Sequence, residues 1–186
     1  METTAEMGYA SYPDFAVLAI PYAIRDLQLL VIIPKASASV AELESRLSAH
    51  GMSDFAELPP KRVRLFLPRF KIDSPTISLS PQLEALGMKA AFQGVRADFR
   101  RIDSRRDLYI TDVFHKVFIV VDEQGTEAAA ATAAVFGKLA RKLTSPPLEV
   151  RVDRPFVFAV QHRPSGACLF LGHINDPAAP NGSKGE

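Results

Sequence analysis

The residues with the widest chemical repertoire in this chain are four histidines and one cysteine. His115 could serve as a general base, yet it sits beside the apolar run Val117-Phe118-Ile119. No serine, cysteine or aspartate is arranged to work with it. His50, His162 and His173 lack the spacing of metal ligands. Cys168 has no second cysteine to pair with and reads as a small buried apolar side chain. Arg96, Arg100, Arg101, Arg105 and Arg106 could gather on a polyanion such as heparin. Asp98, Asp103 and Asp107 are interleaved with them, so the segment reads as a solvated face. None of these groups points to an enzyme, a bound metal or a cofactor.

A different stretch stands out by composition. Thr126-Glu127 leads into Ala128-Ala129-Ala130-Ala131-Thr132, and Lys138, Leu139, Ala140, Arg141, Lys142 and Thr144 follow. Alanine is the best helix former, so propensity alone predicts a helix over 125–143. Thr126 would cap it, with a weak stripe of Phe136, Leu139 and Leu143. What flanks this stretch is mostly β. Residues 15–20 and 26–33 form two apolar runs joined by Pro21-Tyr22-Ala23-Ile24-Arg25, the pattern of a hairpin. Val63, Leu65 and Leu67 alternate with polar or outward residues, Pro68 interrupts, and 69–72 continues. The run 114–121 is strongly β-forming, and strands are predicted over 150–161 and 167–174 about a Pro164-Ser165-Gly166 turn.

Two helices are signalled by their ends. Ser39 with Glu42 forms a capping box ahead of Val40, Leu43 and Leu47, and Gly51 ends that helix. Ser80-Pro81 starts a short one that Gly87 closes. The sum is an α+β fold of mostly antiparallel sheets with a few helices. With 186 residues, the chain is long enough for one domain. A net charge of +1 gives no reason to expect a nucleic-acid or membrane partner, and no apolar run reaches the roughly 18 residues that span a bilayer. The tail 178–186 is expected to fray.

Residues 121–132, Val-Asp-Glu-Gln-Gly-Thr-Glu-Ala-Ala-Ala-Ala-Thr, resemble the hinge of the serpins, a family of serine protease inhibitors. Ile110-Thr111-Asp112-Val113-Phe114-His115-Lys116 resembles the strand that leads into that hinge. Val152-Asp153-Arg154-Pro155-Phe156-Val157-Phe158 and Phe170-Leu171-Gly172-His173-Ile174-Asn175-Asp176-Pro177 resemble the family's signature and closing strand. The matches cover residues 1–177 in order, as the C-terminal portion of one serpin domain, with a long exposed reactive loop at about 124–148.

The resemblance implies a suicide inhibitor. A protease cuts the loop, and the loop then inserts as a strand into the central sheet before the acyl-enzyme hydrolyses. Glu123, Gly125, Thr126, Glu127, Ala128, Ala129, Ala130, Ala131 and Thr132 would form the hinge. Gly125 would supply the swing at its base, and the alanines would enter between strands at little steric cost. Counting from Glu123 as the family does places the reactive bond at Leu139-Ala140, which suits a chymotrypsin- or elastase-like target. Counting back from Pro155 places it near Thr144, and Lys138 or Arg141 would suit a trypsin-like target instead. The resemblance also pairs Glu123 with Arg69 and makes His115 a structural gate rather than a catalytic base. It implies an extracellular setting. The family's helical N-terminal half, with one of the two strands that flank the insertion gap, has no counterpart here. Trapping is therefore expected to need a further half-domain. A non-inhibitory serpin (carrier, chaperone or interaction protein) and a truncated relic are the alternatives.

Overall fold

The computed structural model describes residues 1–24, 26–35, 39–104, 107–122 and 146–178, apart from the side chains at 46 and 48–50. It divides into two units. The first contains β1 (Glu2–Ser11), β2 (Phe15–Pro21), β3 (Leu27–Pro34), α1 (Val40–His50), a 3-10 turn (Met52–Phe55) and β4 (Pro60–Phe66). The second spans Lys71–Val120 among the described residues. It carries most of β5 (Phe70–Asp73), β6 (Ile77–Ser78), α2 (Ser80–Ala85), a 3-10 turn (Ala90–Phe92), β7 (Phe114–His115) and most of β8 (Phe118–Val121). The chain then returns to the first unit with β9 (Leu148–Arg151), β10 (Phe156–His162) and β11 (Ala167–Ile174).

The first unit is built on one seven-stranded sheet in the order β11-β10-β3-β2-β1-β4-β9. Every neighbour pair is antiparallel except β4 with β9, which run parallel. The expected hairpin is β2–β3, with Leu18 opposite Val31. Its strands are apolar on both faces because both faces are buried: Val17, Leu30, Val31 and Ile32 have no measurable exposure. One face is covered by α1 and the 3-10 turn, whose Leu43, Leu47 and Phe55 pack with Phe15, Val17, Leu30, Ile32, Val157 and Ala159. Tyr12, stacked on Phe15 at 4.6 Å, closes the end of that layer.

Helix α1 begins where its sequence says it should. The Ser39 hydroxyl accepts from the Glu42 amide at 3.2 Å, and the Glu42 carboxylate accepts from the Ser39 amide at 2.8 Å. At the other end Gly51 takes φ 72° and returns its amide to Leu47 O.

The structure differs from the sequence expectations at four places. Residues 2–11 form a full strand, unannounced because its two faces alternate among Glu2, Thr4, Glu6 and Thr3, Ala5, Met7, with little apolar contrast. The run 114–121 is two short strands rather than one, pairing with β6 and β5 in separate two-stranded sheets. The run 150–161 is broken at 152–155, where Pro155 brings no amide to a ladder. Cys168 is exposed rather than buried. It lies on β11, the last strand of the sheet, where Leu169, Phe170 and Leu171 are exposed too.

Replacing Ser39 by Ala removes one half of the capping box. Urea denaturation is expected to show a loss of about 1 kcal/mol, with Ser39→Asp recovering most of it; an unchanged midpoint would show that the box contributes nothing to α1.

Candidate functional site

The alanine-rich stretch and its flanks are the part of this chain with a chemical proposition, so the elements that hold its two ends define the site. Upstream lies the second unit. A two-residue ladder pairs Ser78 with Phe114 and Ile77 with His115. The chain is tied on either side of it: Leu79 donates to Val113 O at 2.8 Å, and Ser74 donates to Val117 O at 2.9 Å. The Val117 amide in turn donates to Ser74 Oγ at 2.8 Å.

The strongest polar feature here is Asp112. Its Oδ1 accepts from Ser78 Oγ at 2.5 Å, from Ser80 Oγ at 2.5 Å and from the Val113 amide at 2.7 Å. The hydroxyls of Ser78 and then Ser80 hold its carboxyl below the ordinary value, against a smaller opposing effect of desolvation. Ser80 therefore does not cap α2. Leu79 occupies the cap position, and the Ser80 hydroxyl faces Asp112 instead. In the sequence, Asp112 stands out only as part of the motif that resembles the strand before the hinge. An acid just before a β run, facing Ser-x-Ser-Pro, is the signal it held.

His115 is exposed, and its backbone pairs with Ile77. Neighbouring Lys116 meets Asp73 at 2.9 Å, both about half exposed, so the pair contributes little. Lys71 lies 5.3 Å from the Phe118 ring centroid. Phe118 and Val120 remain about half exposed on β8, while Val121 at its end is buried. Arg69, just before β5, is exposed. Its expected partner Glu123 lies outside the described residues, as do the other hinge residues Gly125, Thr126, Glu127, Ala128, Ala129, Ala130, Ala131 and Thr132. So do the reactive-bond positions Leu139 and Ala140 and the alternatives Lys138, Arg141 and Thr144. The helix that propensity predicts over 125–143 falls within the same stretch. In the arginine-rich segment Arg100 is engaged by Asp98 at 2.6 Å; Arg105 and Arg106 are likewise outside the described residues.

Downstream the anchoring is apolar. β9 lies beside β4 with Leu65 opposite Val150, and the Val152 amide continues to Phe66 O at 2.8 Å. The guanidinium groups of Arg151 and Arg64 lie 4.0 Å and 5.1 Å from the centroid of the Phe66 ring. Phe70 packs against Phe156 at 5.8 Å and Phe158 at 5.0 Å between ring centroids, and both are almost fully buried. Gly172 of β11 lies against the Phe158 ring so closely that a Cβ there would come within 2.7 Å of it. That contact explains the glycine in the closing-strand motif.

No cluster of three or more metal-ligating side chains occurs among the described residues. His162 Nδ1 lies 2.7 Å from Ser165 Oγ, but both belong to one hairpin turn and, among the described residues, no acid orients the ring.

Folded Asp112 titrates below its unfolded value near 3.8, so its contribution is complete above that value and is lost as pH falls through the folded one. Protection of the Leu79 and Val113 amides, taken relative to their intrinsic exchange at each pH, is expected to fall across that acid window in the native chain and to stay constant in Asp112→Asn. The same fall in both would show that Asp112 does not hold the two segments together.

Comparison with known proteins bears on the whole chain. The family model Serpin (serine protease inhibitor) matches residues 1–177. Serpin B10 of Sorex araneus is 32% identical over 180 residues, which is 95% of this chain and 44% of that protein. The leukocyte elastase inhibitor of Sus scrofa is 35% identical over 179 residues, 91% of this chain and 46% of that protein. Among solved structures, the thermophilic serpin tengpin in its native state superposes with a TM-score of 0.69 at 30% identity, covering 94% of this chain and 45% of that one. Manduca sexta serpin-12 gives 0.74 at 26% identity, covering 98% and 47%. The chain thus spans a little under half the length of these relatives. With the motifs in order and the family model matching all but the last nine residues, the chain belongs to the serpins, a family of protease inhibitors rather than enzymes.

Proposed function

We propose that the loop at about 124–148 is the bait of a suicide inhibitor of serine proteases and that the chain supplies the two anchors between which it works. The observation that carries this reading is the hinge sequence 123–132, which starts two residues after β8 ends and lies within the family match. Its run Ala128 to Thr132 contains no proline and no charge, so nothing in it opposes entry between two strands.

In this reading the protease's serine oxygen attacks the Leu139 carbonyl. The Leu139–Ala140 peptide bond breaks, and the amine of Ala140 leaves with the proton delivered by the protease's histidine. Leu139 remains esterified to the enzyme, and the freed hinge moves while that ester persists. Glu123 pairs with Arg69, and His115 acts as a gate at the strand. Leu139 fits an apolar specificity pocket, in keeping with the name of the elastase-inhibitor relative.

Trapping needs a strand on each side of the inserted hinge. Among the described residues β8 has one neighbour, β5, and it leaves Phe118 and Val120 about half exposed. On the first unit, Leu169, Phe170 and Leu171 of β11 are exposed as well. Apolar surface of this kind calls for a cover. We assign that cover to the part of the serpin domain that this chain does not contain, so the chain alone is cut as a substrate and does not trap. The extracellular setting rests on the resemblance alone.

Incubation with chymotrypsin or elastase, followed by mass spectrometry of the fragments, is expected to show a single early cut after Leu139. A cut made only by trypsin-like enzymes after Lys138 or Arg141 would move the reactive bond and change the target class. Resistance of the loop at about 124–148 to all of these proteases would overturn the bait reading itself.

A further inference from the structure

Two polar side chains are buried among the described residues, Gln28 on β3 and Gln161 on β10, at 4% and 0% exposure. They are direct partners across the β3–β10 ladder. Gln28 Nε2 donates to Gln161 Oε1 at 2.9 Å and to the carbonyls of Phe55 at 3.0 Å and Ala56 at 3.3 Å. Gln161 Nε2 donates to Met52 O at 2.6 Å and Gly166 O at 3.1 Å. One pair of amides therefore joins two strands, the 3-10 turn after α1 and the turn of the β10–β11 hairpin.

The surroundings of this pair give it a particular task. Strand register is ordinarily fixed by alternation, because a one-residue slip turns the apolar face outward. β3 and β10 have no such alternation, since both are buried on both faces along most of their length. Sliding β10 along β3 exchanges Leu, Val, Ile, Ala and Phe for one another with no polar face to turn inward, while Gln28 and Gln161 must still meet. A slip of one residue puts them on opposite faces, and a slip of two separates them to about 7–8 Å. Either slip strips partners from buried amides and carbonyls. The pairing of β10 with β11 shifts register between Val160 and Gln161, yet the pairing with β3 runs on unbroken through Gln161 and His162. The glutamine keeps its place while the neighbouring ladder adjusts around it.

We propose that the Gln28–Gln161 pair is the register key that seats the C-terminal hairpin on β3. The two residues are 133 positions apart, so the hairpin must find its place after everything between has been made. They act as positioning residues: they also satisfy the carbonyls of Phe55, Ala56, Met52 and Gly166, and beyond that contribution they exclude the slipped alternatives.

The test separates register from stability. In the native chain, methyl and amide NOE spectra should show one set of contacts, with Ala159 opposite Leu30 and Phe158 opposite Val31. Gln161→Leu alone removes one acceptor from the Gln28 amide, leaves the Met52 and Gly166 carbonyls without that donor, and should lower the denaturation midpoint. The double variant Gln28→Leu/Gln161→Leu also leaves the Phe55, Ala56, Met52 and Gly166 carbonyls without these donors, so its midpoint should stay low, and it should show a second set of contacts, with Ala159 displaced along β3. A double variant with the native set alone overturns the proposal. So does failure of both this variant and Gln28→Met/Gln161→Met to fold, since the pair would then be a stability element and not a register key.

Discussion

A strand that is apolar on both faces must be covered on both faces, and that constraint organises the first unit. β2, β3 and β10 carry no polar face, so they take interior positions in the sheet, with β1, β4 and β9 on one side and β11 on the other. β10 is made last of the three. Its place beside β3 draws the C-terminal part of the chain back into the same core as the first thirty residues, and Phe156, Val157, Phe158 and Ala159 are buried there. The stretch between β8 and β9 is thereby tied at its far end to the most buried part of the protein.

The two ends of that stretch are held by different forces. Downstream, Val150, Val152, Phe156 and Phe158 are sunk in a core in which Phe70 packs on two rings. Upstream, the chain is held by ladders two to four residues long, by the Asp112 contacts with Ser78 and Ser80, and by exposed pairs such as Lys116 with Asp73. Few buried apolar contacts and many exposed hydrogen bonds are the marks of an element that opens locally at low cost.

Elements with strong local signals were legible in the sequence. The capping box and Gly51 define α1, the apolar runs about 21–25 define β2 and β3, and the Pro164-Ser165-Gly166 turn sets β11. What was hidden depends on partners distant in sequence. Residues 2–11 become a strand because β2 and β4 flank them, although their own pattern is weak. Residues 114–121 divide because two different partners claim them. Cys168 reads as a core residue by type, but edge placement exposes it. At the site, the resemblance named the motif containing Asp112 without its two serine partners, which lie over thirty residues earlier. The hinge itself was read from residue identity alone, since its alanines signal a helix by propensity and an insertable strand by likeness.

The central claim is that this chain carries a hinge and bait competent to trap a serine protease once the rest of the domain is present. Its most direct test joins this chain to the part of Sus scrofa leukocyte elastase inhibitor that it does not match and titrates the product against elastase. A complex is expected that survives denaturing electrophoresis, forms near one-to-one stoichiometry, and is lost when Ala130 is replaced by Pro. Turnover of the hybrid as a plain substrate, while the intact pig inhibitor traps the same enzyme, would contradict that claim.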